Sequence, residues 1–541
     1  MRTMVKRALL ALTAGGLVLS TAACTEGDGA AGAADLDGKR VAAMADYRVG
    51  QQFKAGEPVE FDILYSDHPN YPIKDDWLFW QELRQRTNVT LKPTVVPFSD
   101  YEQKRSLVVG SGAAPAIISK TYPNQEQPFV ASGAILPVSD YLDLMPHFKD
   151  KIEKWKLQPE LNTLRQEDGK FYLLPGVHEN VWQDYTLAFR TDELQRLGLR
   201  PPKDWDEVHA VLKAIKAAHP DSYPLSDRFE GKAILNYAAQ VFGTYAGWEY
   251  RNTQWQPQEG KFVFTGTSPE HKQLVAYFRE LVAEGLMDPE SFTQKDEPAI
   301  QKFASGKSYA ISTNAQNLVN DYRPSLAAIP GATVAKTTLP AGPKGDVMIS
   351  TRLENGLMIS SKAVESDKFV AMMQFIDWLW YSDEGREFAK WGVPGTTYDK
   401  DASGKRTLKQ GIAFGGLNPG APQHLQKNYG FQGGVFSYGG TTDLLESMFT
   451  DEEVAFQDEL KRKEVLPLPP PHPFTADERE RATLWETPLK DAATQATLQF
   501  ILGDRDLADW DAYVQEMAGK GTTQYLELVN SAYQRYKQKN G

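Results

Sequence analysis

Aromatic side chains stand in segments of this sequence too rich in Gly and Asn to be element cores. Trp182 follows GVHENV, and Trp248 and Tyr250 sit in TYAGWEYRN. Trp391 lies in AKWGVPG, while Tyr429, Phe431, Phe436 and Tyr438 punctuate NYGFQGGVFSYGG. Rings in such loops offer flat apolar faces with polar tips. Sugars stack their C–H faces on such rings and need amides and charged groups for their hydroxyls. The same rings can also plug a core, a reading that suits Trp77 and Trp391 best. Covalent chemistry has no comparable signature. There is no GxSxG, HExxH, phosphate loop or D-x-D-x-D-G loop, and the eight His show no metal-ligand spacing. No metal or cofactor is expected. Among 71 acidic residues, a carboxylate pair across a cleft stays open, so a glycan hydrolase or lyase stays open with it.

The single cysteine, Cys24, ends LSTAAC. Before it come Arg2, Lys6 and Arg7, an apolar run over residues 8–19, and the small residues Thr21, Ala22 and Ala23. A basic start, a short apolar stretch and small residues before a cut make a secretory signal over residues 1–23. A membrane-spanning helix needs ~20 apolar residues. The arrangement resembles the bacterial lipobox, with Thr21 where Leu is usual. That resemblance implies a lipid anchor on Cys24, worth ~0.8 kcal/mol per buried methylene. Plain cleavage is the alternative. Either way no disulfide is possible. Residues 24–57, in which TEGDGAAGAADLDG follows Cys24, read as a lipidated flexible tether.

The elements that must position the rings follow from periodicity. VEFDILYS (59–66), VTLKPTVVP (89–97) and AIISK (116–120) read as strands, with helices in DDWLFWQELRQRTN and in DYEQKRSLVVGSG capped by Ser99. Strand and helix in alternation build a parallel α/β sheet. Ligands of such sheets lie beyond the carboxyl ends of the strands. Those ends are residues 65–68, 97–99 and 122–124, the last including Tyr122. DGKFYLLPGV reads as a turn and hairpin strand. Asp204 with Glu207 forms a capping box, and Ser268, Pro269 and Gly285 bound another helix. VLPLPPPHP (465–473) is extended polyproline, and the chain from Thr475 onward is helical. About 480 residues beyond the leader exceed one core, so two lobes are expected. Loss of Arg2, Lys6 and Arg7 takes the net charge from −12 to −15, which disfavours nucleic acid as a partner.

Several segments together are similar to one family. YEQKRSLVVGSGAAPAII, YFRELVAEGLMDPESF, FASGKSYAI and NGLMISSKAVESDKFVAMMQFIDWLWYSDEGREFAKWGVPGTTY resemble, in order, the extracellular solute-binding proteins of bacterial ABC importers. Ala116 stands where that family usually has Asp. DDWLFWQELRQRTNVTL and FRTDELQRLGLRPPKDWDEVHAVLKAIK look most like the large lipoprotein-type members that include alginate-oligosaccharide binders. The resemblance implies a two-lobe α/β periplasmic-binding-protein fold, class II-like, with a hinge and extra C-terminal helices. It implies lobe 1 over residues 58–175 and about 353–400. Lobe 2 then takes about 176–352 and 401–541, with crossings at residues 172–190 and 352–359. The protein would be a monomer on the outer face of the cytoplasmic membrane, delivering an oligosaccharide to a permease. A sensor subunit is the alternative partner reading. Carried over, the DR of PLSDRF nominates Asp227 and Arg228. The segment after SYAIST nominates Asn314 and Gln316, and the glycine-rich segment nominates Tyr429 and Tyr438. Arg352 is either a ligand contact or an ion-pair partner. With Trp77, Tyr122, Trp182, Trp248 and Trp391 these complete the candidate ligand set. HPDSYPLSD is shorter than the relatives' calcium loop, with only Asp221 and Asp227 as carboxylates, so no calcium is expected there.

Overall fold

A computed structural model of the protein describes residues 36–349 and 352–540. The expected leader and Cys24 lie outside them. Twelve strands frame the site: β1 Val59–Asp67, β2 Val89–Pro97, β3 Ile117–Thr121, β4 Leu174–Val177, β5 Thr186–Arg190, β6 Leu225–Ser226, β7 Thr253–Gln256, β8 Lys261–Phe264, β9 Ala310–Thr313, β10 Val334–Lys336, β11 Val347–Ile349 and β12 Leu353–Ile359. Nine of them form two main sheets, ordered β2-β1-β3-β12-β4 and β10-β5-β9-β6, while β7 pairs with β8 and β11 lies outside both. This is the two-lobe α/β architecture.

In the first sheet β1 runs parallel to β2 from Val59↔Val89 to Asp67↔Pro97, and parallel to β3. Val59, Phe61 and Ile63 alternate inward, and then Leu64, Tyr65 and Ser66 are buried without a break. That switch marks a strand covered first on one face and then on both. From far along the chain β12 inserts antiparallel between β3 and β4. Helix Phe369–Tyr381 backs this sheet, and all 13 of its residues are buried. Its Asp377 accepts from the amides of His147 and Phe148 at 3.0 and 2.9 Å. Those amides open helix Pro146–Lys154, so a carboxylate sits at a positive helix end. Tyr47 donates to the same carboxylate at 3.0 Å.

That last bond corrects the expected tether. From Val41 the chain lies on the first lobe, with Val41 bonded to Asp367, Met44 to Gln374, and Phe53 fully buried. Tyr47 and Phe53 are large rings that gain from burial, and they hold an otherwise polar segment down.

The second sheet has β5 antiparallel to β9 and β10, and β6 parallel to β9. Its core combines Leu187, Phe189 and Trp205 with Leu489, Phe500, Trp510 and Val529 of the C-terminal helices. Helix Ala476–Leu502 starts with a full capping box, Thr475 with Glu478. At Asp204 the side chain accepts from the Glu207 amide, while Glu207 takes the Lys203 amide, so the box is only half formed. Residues 168–173 make no hairpin strand; only β4 forms there.

His271 sits inside this lobe, 1 % exposed, bonded to Thr497 at 2.9 Å. Burial alone lowers its pKa to about 4. The unfolded chain, near 6.5, takes up the proton first as pH falls. Stability from this group is therefore complete above pH 6.5 and is lost as pH drops toward 4. Melting temperature should fall through that window, and His271→Gln should follow a shallower slope. Equal slopes would remove His271 from the acid sensitivity.

The lobes are joined by three crossings. Between β4 and β5 the chain crosses once, and between β11 and β12 a second time, just before the expected 352–359. A third crossing at residues 440–442 was not foreseen. The three run side by side. His178 pairs with Gly440, Glu179 donates to the Gly440 carbonyl, and His178 donates to the Arg352 carbonyl. The expected assignment of residues 401–541 to lobe 2 is corrected by the same path. Phe436 stacks on Phe79 of the first lobe at 4.7 Å, and Phe431 meets Phe79 and Phe388. Only after Gly440 does the chain join the second lobe, where Phe456 and Leu460 enter its core.

Candidate functional site

Two ring walls stand at the carboxyl ends of the strands, one on each lobe. The first grows from the ends of β1, β2 and β3. His68 stacks on Tyr71 at 4.6 Å and tilts against Phe98 at 5.0 Å. Lys120 lies over the rings of Phe98, Tyr122 and Tyr438 at 5.7, 5.5 and 5.0 Å. Its ammonium donates to the Tyr438 hydroxyl at 2.6 Å. Tyr438 reaches the wall because the chain around it is stripped of side chains. A Cβ at Gly434 would lie 3.0 Å from the Tyr71 hydroxyl and 3.2 Å from that of Tyr438. At Gly439, φ is +77° and a Cβ would lie 2.3 Å from the Val177 carbonyl. Only glycine fits both demands there.

The second wall grows from the start of β5 and the ends of β6 and β9. Tyr185, Phe229 and Trp248 meet edge to face, Tyr185–Trp248 and Phe229–Trp248 both at 5.0 Å. Trp248 is 41 % exposed. Asn314 caps the next turn by accepting from the Asn317 amide at 2.7 Å. Gln316 is exposed in that turn. Burial, and then the Glu354 charge, raise the Tyr438 phenol.

Burial, above all, pushes the phenols of Tyr71 and Tyr185 up to about 12, so each keeps its proton at neutral pH. Burial and then the Lys120 charge push His68 down, which leaves a neutral imidazole. Below the first wall, burial opposes the Glu354 charge. Its bond from His178 at 2.7 Å and the fields of His178, Lys390 and Lys120 still hold its pKa below the usual carboxylate value. The chemistry on offer is ring faces, hydroxyls, amides and one ammonium. It suits noncovalent capture of a polyhydroxylated molecule.

Of the sequence candidates, Tyr122, Tyr438, Trp248, Asn314 and Gln316 are brought to these walls. Others are not. Trp77 is 1 % exposed, packs under Gly430 and donates to the Lys427 carbonyl. Trp391 is fully buried and donates to Ser447. Both rings are core. Asp227 is fully buried, accepting from the amides of Phe229 and Ile234 and from the Ser312 hydroxyl. Arg228 is held by Asp296 and Asp321. Arg352 is held by Glu160 and the carbonyls of Trp155 and Lys156, so its donors are engaged by the hinge. Trp182 packs between His178 and Phe449 at the hinge and lines a small pocket with Asn180 and Thr442. Among the described residues, no ring contact joins Tyr429 to either wall. Sequence reasoning missed Tyr71, Phe98, Lys120, Tyr185 and Phe229. The strand-end rule already pointed at residues 65–68 and 97–99, and Lys120 precedes the third range by two positions.

With this geometry in view, the chain belongs to the bacterial extracellular solute-binding proteins, whose family model matches residues 70–386. Among curated relatives it is 23% identical over 533 residues to the fructooligosaccharide ABC transporter substrate-binding protein FusA of Streptococcus pneumoniae serotype 4 (strain ATCC BAA-334 / TIGR4), covering 92% of this chain and 94% of that one. It is 24% identical over 499 residues to the polygalacturonan/rhamnogalacturonan-binding protein YtcQ of Bacillus subtilis (strain 168), covering 88% and 91%. The solved structure of the alginate-binding protein AlgQ2 without calcium ion superposes with a TM-score of 0.69 at 21% identity, covering 89% of this chain and 99% of that one. No helix among the described residues is long and apolar enough to cross a membrane.

Proposed function

We propose that this solute-binding protein captures an oligosaccharide between its lobes and delivers it to the permease of an ABC importer. The observation that carries the reading is the pair of ring walls at the strand ends of the two lobes, Phe98, Tyr122 and Tyr438 on one and Tyr185, Phe229 and Trp248 on the other. Rings of this kind stack on sugars, and the neutral phenols, Asn314 and Gln316 serve hydroxyls. The curated relatives named for what they bind are named for oligosaccharides or polysaccharides. Closure stabilises the complex because ligand touches both walls only when the lobes approach. Three adjacent crossings confine the rotation to a few residues and leave both cores intact. No covalent step belongs to this reading. The protein acts as a monomer, held outside the cytoplasmic membrane by lipid on Cys24, with no other membrane contact and no nucleic-acid partner.

A thermal-shift panel of neutral and acidic oligosaccharides tests it. Ligand at ~100 times its Kd should add about 2.7 kcal/mol to stability. Mass spectra of the recovered sugar should be unchanged. A folded protein silent across the panel, or one that shortens its ligand, contradicts the proposal.

A further inference from the structure

We infer that the captured oligosaccharide carries an acidic sugar unit, seated on the Lys120 ammonium where β3 delivers it into the ring basket of Phe98, Tyr122 and Tyr438. The inference rests on the oligosaccharide reading above and adds the charge of the ligand to it.

Lys120 is unusual in three independent ways. Its backbone is left-handed, with φ +52°, inside a strand and in a residue that is not glycine. L residues adopt that region rarely, and where they do, a functional constraint is the first thing to look for. The neighbours Ser119 and Thr121 are fully buried, while Lys120 is half-exposed. Its surroundings are also unusual for a cation. The rings of Phe98 and Tyr122 and the hydroxyl of Tyr438 surround the ammonium, and no carboxylate among the described residues pairs with it within 4.0 Å.

The other charges around the cleft are already matched. Asp296 and Asp321 hold Arg228, and Asp184 and Glu453 hold Lys336. Glu354 feels the Lys120 charge but accepts from His178. Asp67, at the end of β1, accepts from the Ile73 amide. Among the described residues Lys120 therefore has no carboxylate in direct contact, and Glu354 reaches it only through its field. An ammonium has three donors, and Tyr438 takes one. A neutral sugar could stack on the same rings without the ammonium. Closing the cleft over it would strip water from an unpaired cation, which is unfavourable. A carboxylate or sulfate on the sugar removes that penalty and forms a charge-assisted hydrogen bond.

Calorimetry on the purified protein separates the possibilities. The probes are uronate trimers (galacturonate, mannuronate and a glucuronate-containing trimer), each against its carboxyl-reduced counterpart. A sulfated galactose oligomer against its desulfated form is the second arm. One acidic member should bind at least about tenfold tighter than its neutral twin. Which arm shows the preference identifies carboxylate or sulfate as the source of the anion. Lys120→Met should remove that preference, so that the acidic member and its neutral twin bind within about threefold of one another. Lys120→Gly should do the same with an unchanged or higher melting temperature, because glycine accepts the φ of this position. Equal binding within every pair, or variants that weaken both members alike, would overturn the acidic ligand and leave the oligosaccharide reading standing. Binding of no member by a protein with a normal melting curve would overturn both.

Discussion

Trp248→Ala should weaken oligosaccharide binding at least about tenfold while the melting temperature of the unliganded protein stays within a degree or two. The ring is 41 % exposed, so it contributes little to the core. Its position is nevertheless fixed. It rides on the short turn Gly247–Glu249, with φ +63° at Gly247, where a Cβ would lie 2.0 Å from the Lys232 carbonyl. Glu249 donates its amide to Asn236 at 3.0 Å. These backbone anchors survive the substitution, so the lost affinity belongs to the ring. A large aromatic held in place before ligand arrives is the kind of contact that dominates an interface, worth about 2 kcal/mol or more when truncated. Trp182→Ala, measured beside it, should act differently. Trp182 contacts His178 and Phe449 at the hinge, so its loss should alter closure and stability before it alters sugar contact. If both variants fold and bind as the parent does, the ring walls are not the site.

How much of this was legible in the sequence depends on the scale. Strands β1, β2 and β3 were readable because buried strands leave period-two or continuous apolar runs. Helix starts at Asp204, Ser268 and Thr475 were readable because their caps use particular side chains, and each does accept the expected amide. Orientation was harder. Trp77 and Trp391 stood among the candidates although a core reading suited them best, and both are buried, Trp77 directly under Gly430. Lys120 was invisible because a left-handed residue inside a strand breaks the alternation that locates inward and outward positions. The third crossing was missed because residues 392–440 contain little regular structure. Their allegiance to the first lobe is carried by Phe431 and Phe436 packing on rings more than 300 positions away, or nearly so, in the chain. Asp227 was misread for a related reason. A resemblance can match an Asp-Arg pair without revealing which way the carboxylate faces.

Asp227→Ala should therefore be a stability variant: unfolding free energy should fall by about 3–5 kcal/mol, and the affinity of the folded fraction should be retained. The carboxylate accepts from Phe229 at 2.6 Å, from Ser312 at 2.7 Å and from Ile234 at 3.0 Å. Ile234 lies in the first turn of helix Lys232–Phe242, so the acid also faces a positive helix end. Burial pushes its pKa up while these bonds oppose the rise. Alanine would leave two amides and a hydroxyl without partners in a fully buried place, at the point where β6, that helix and β9 meet. Asp227→Asn keeps one acceptor oxygen and should fall between the two. Ligand titration after correction for the unfolded fraction gives the second readout. An Asp227→Ala protein with the parent's melting curve and no sugar binding would mean that the carboxylate faces the ligand after all. A large drop in melting temperature with affinity retained ties Asp227 to the second lobe's scaffold. It would leave the walls built on Lys120 and Trp248 to do the binding.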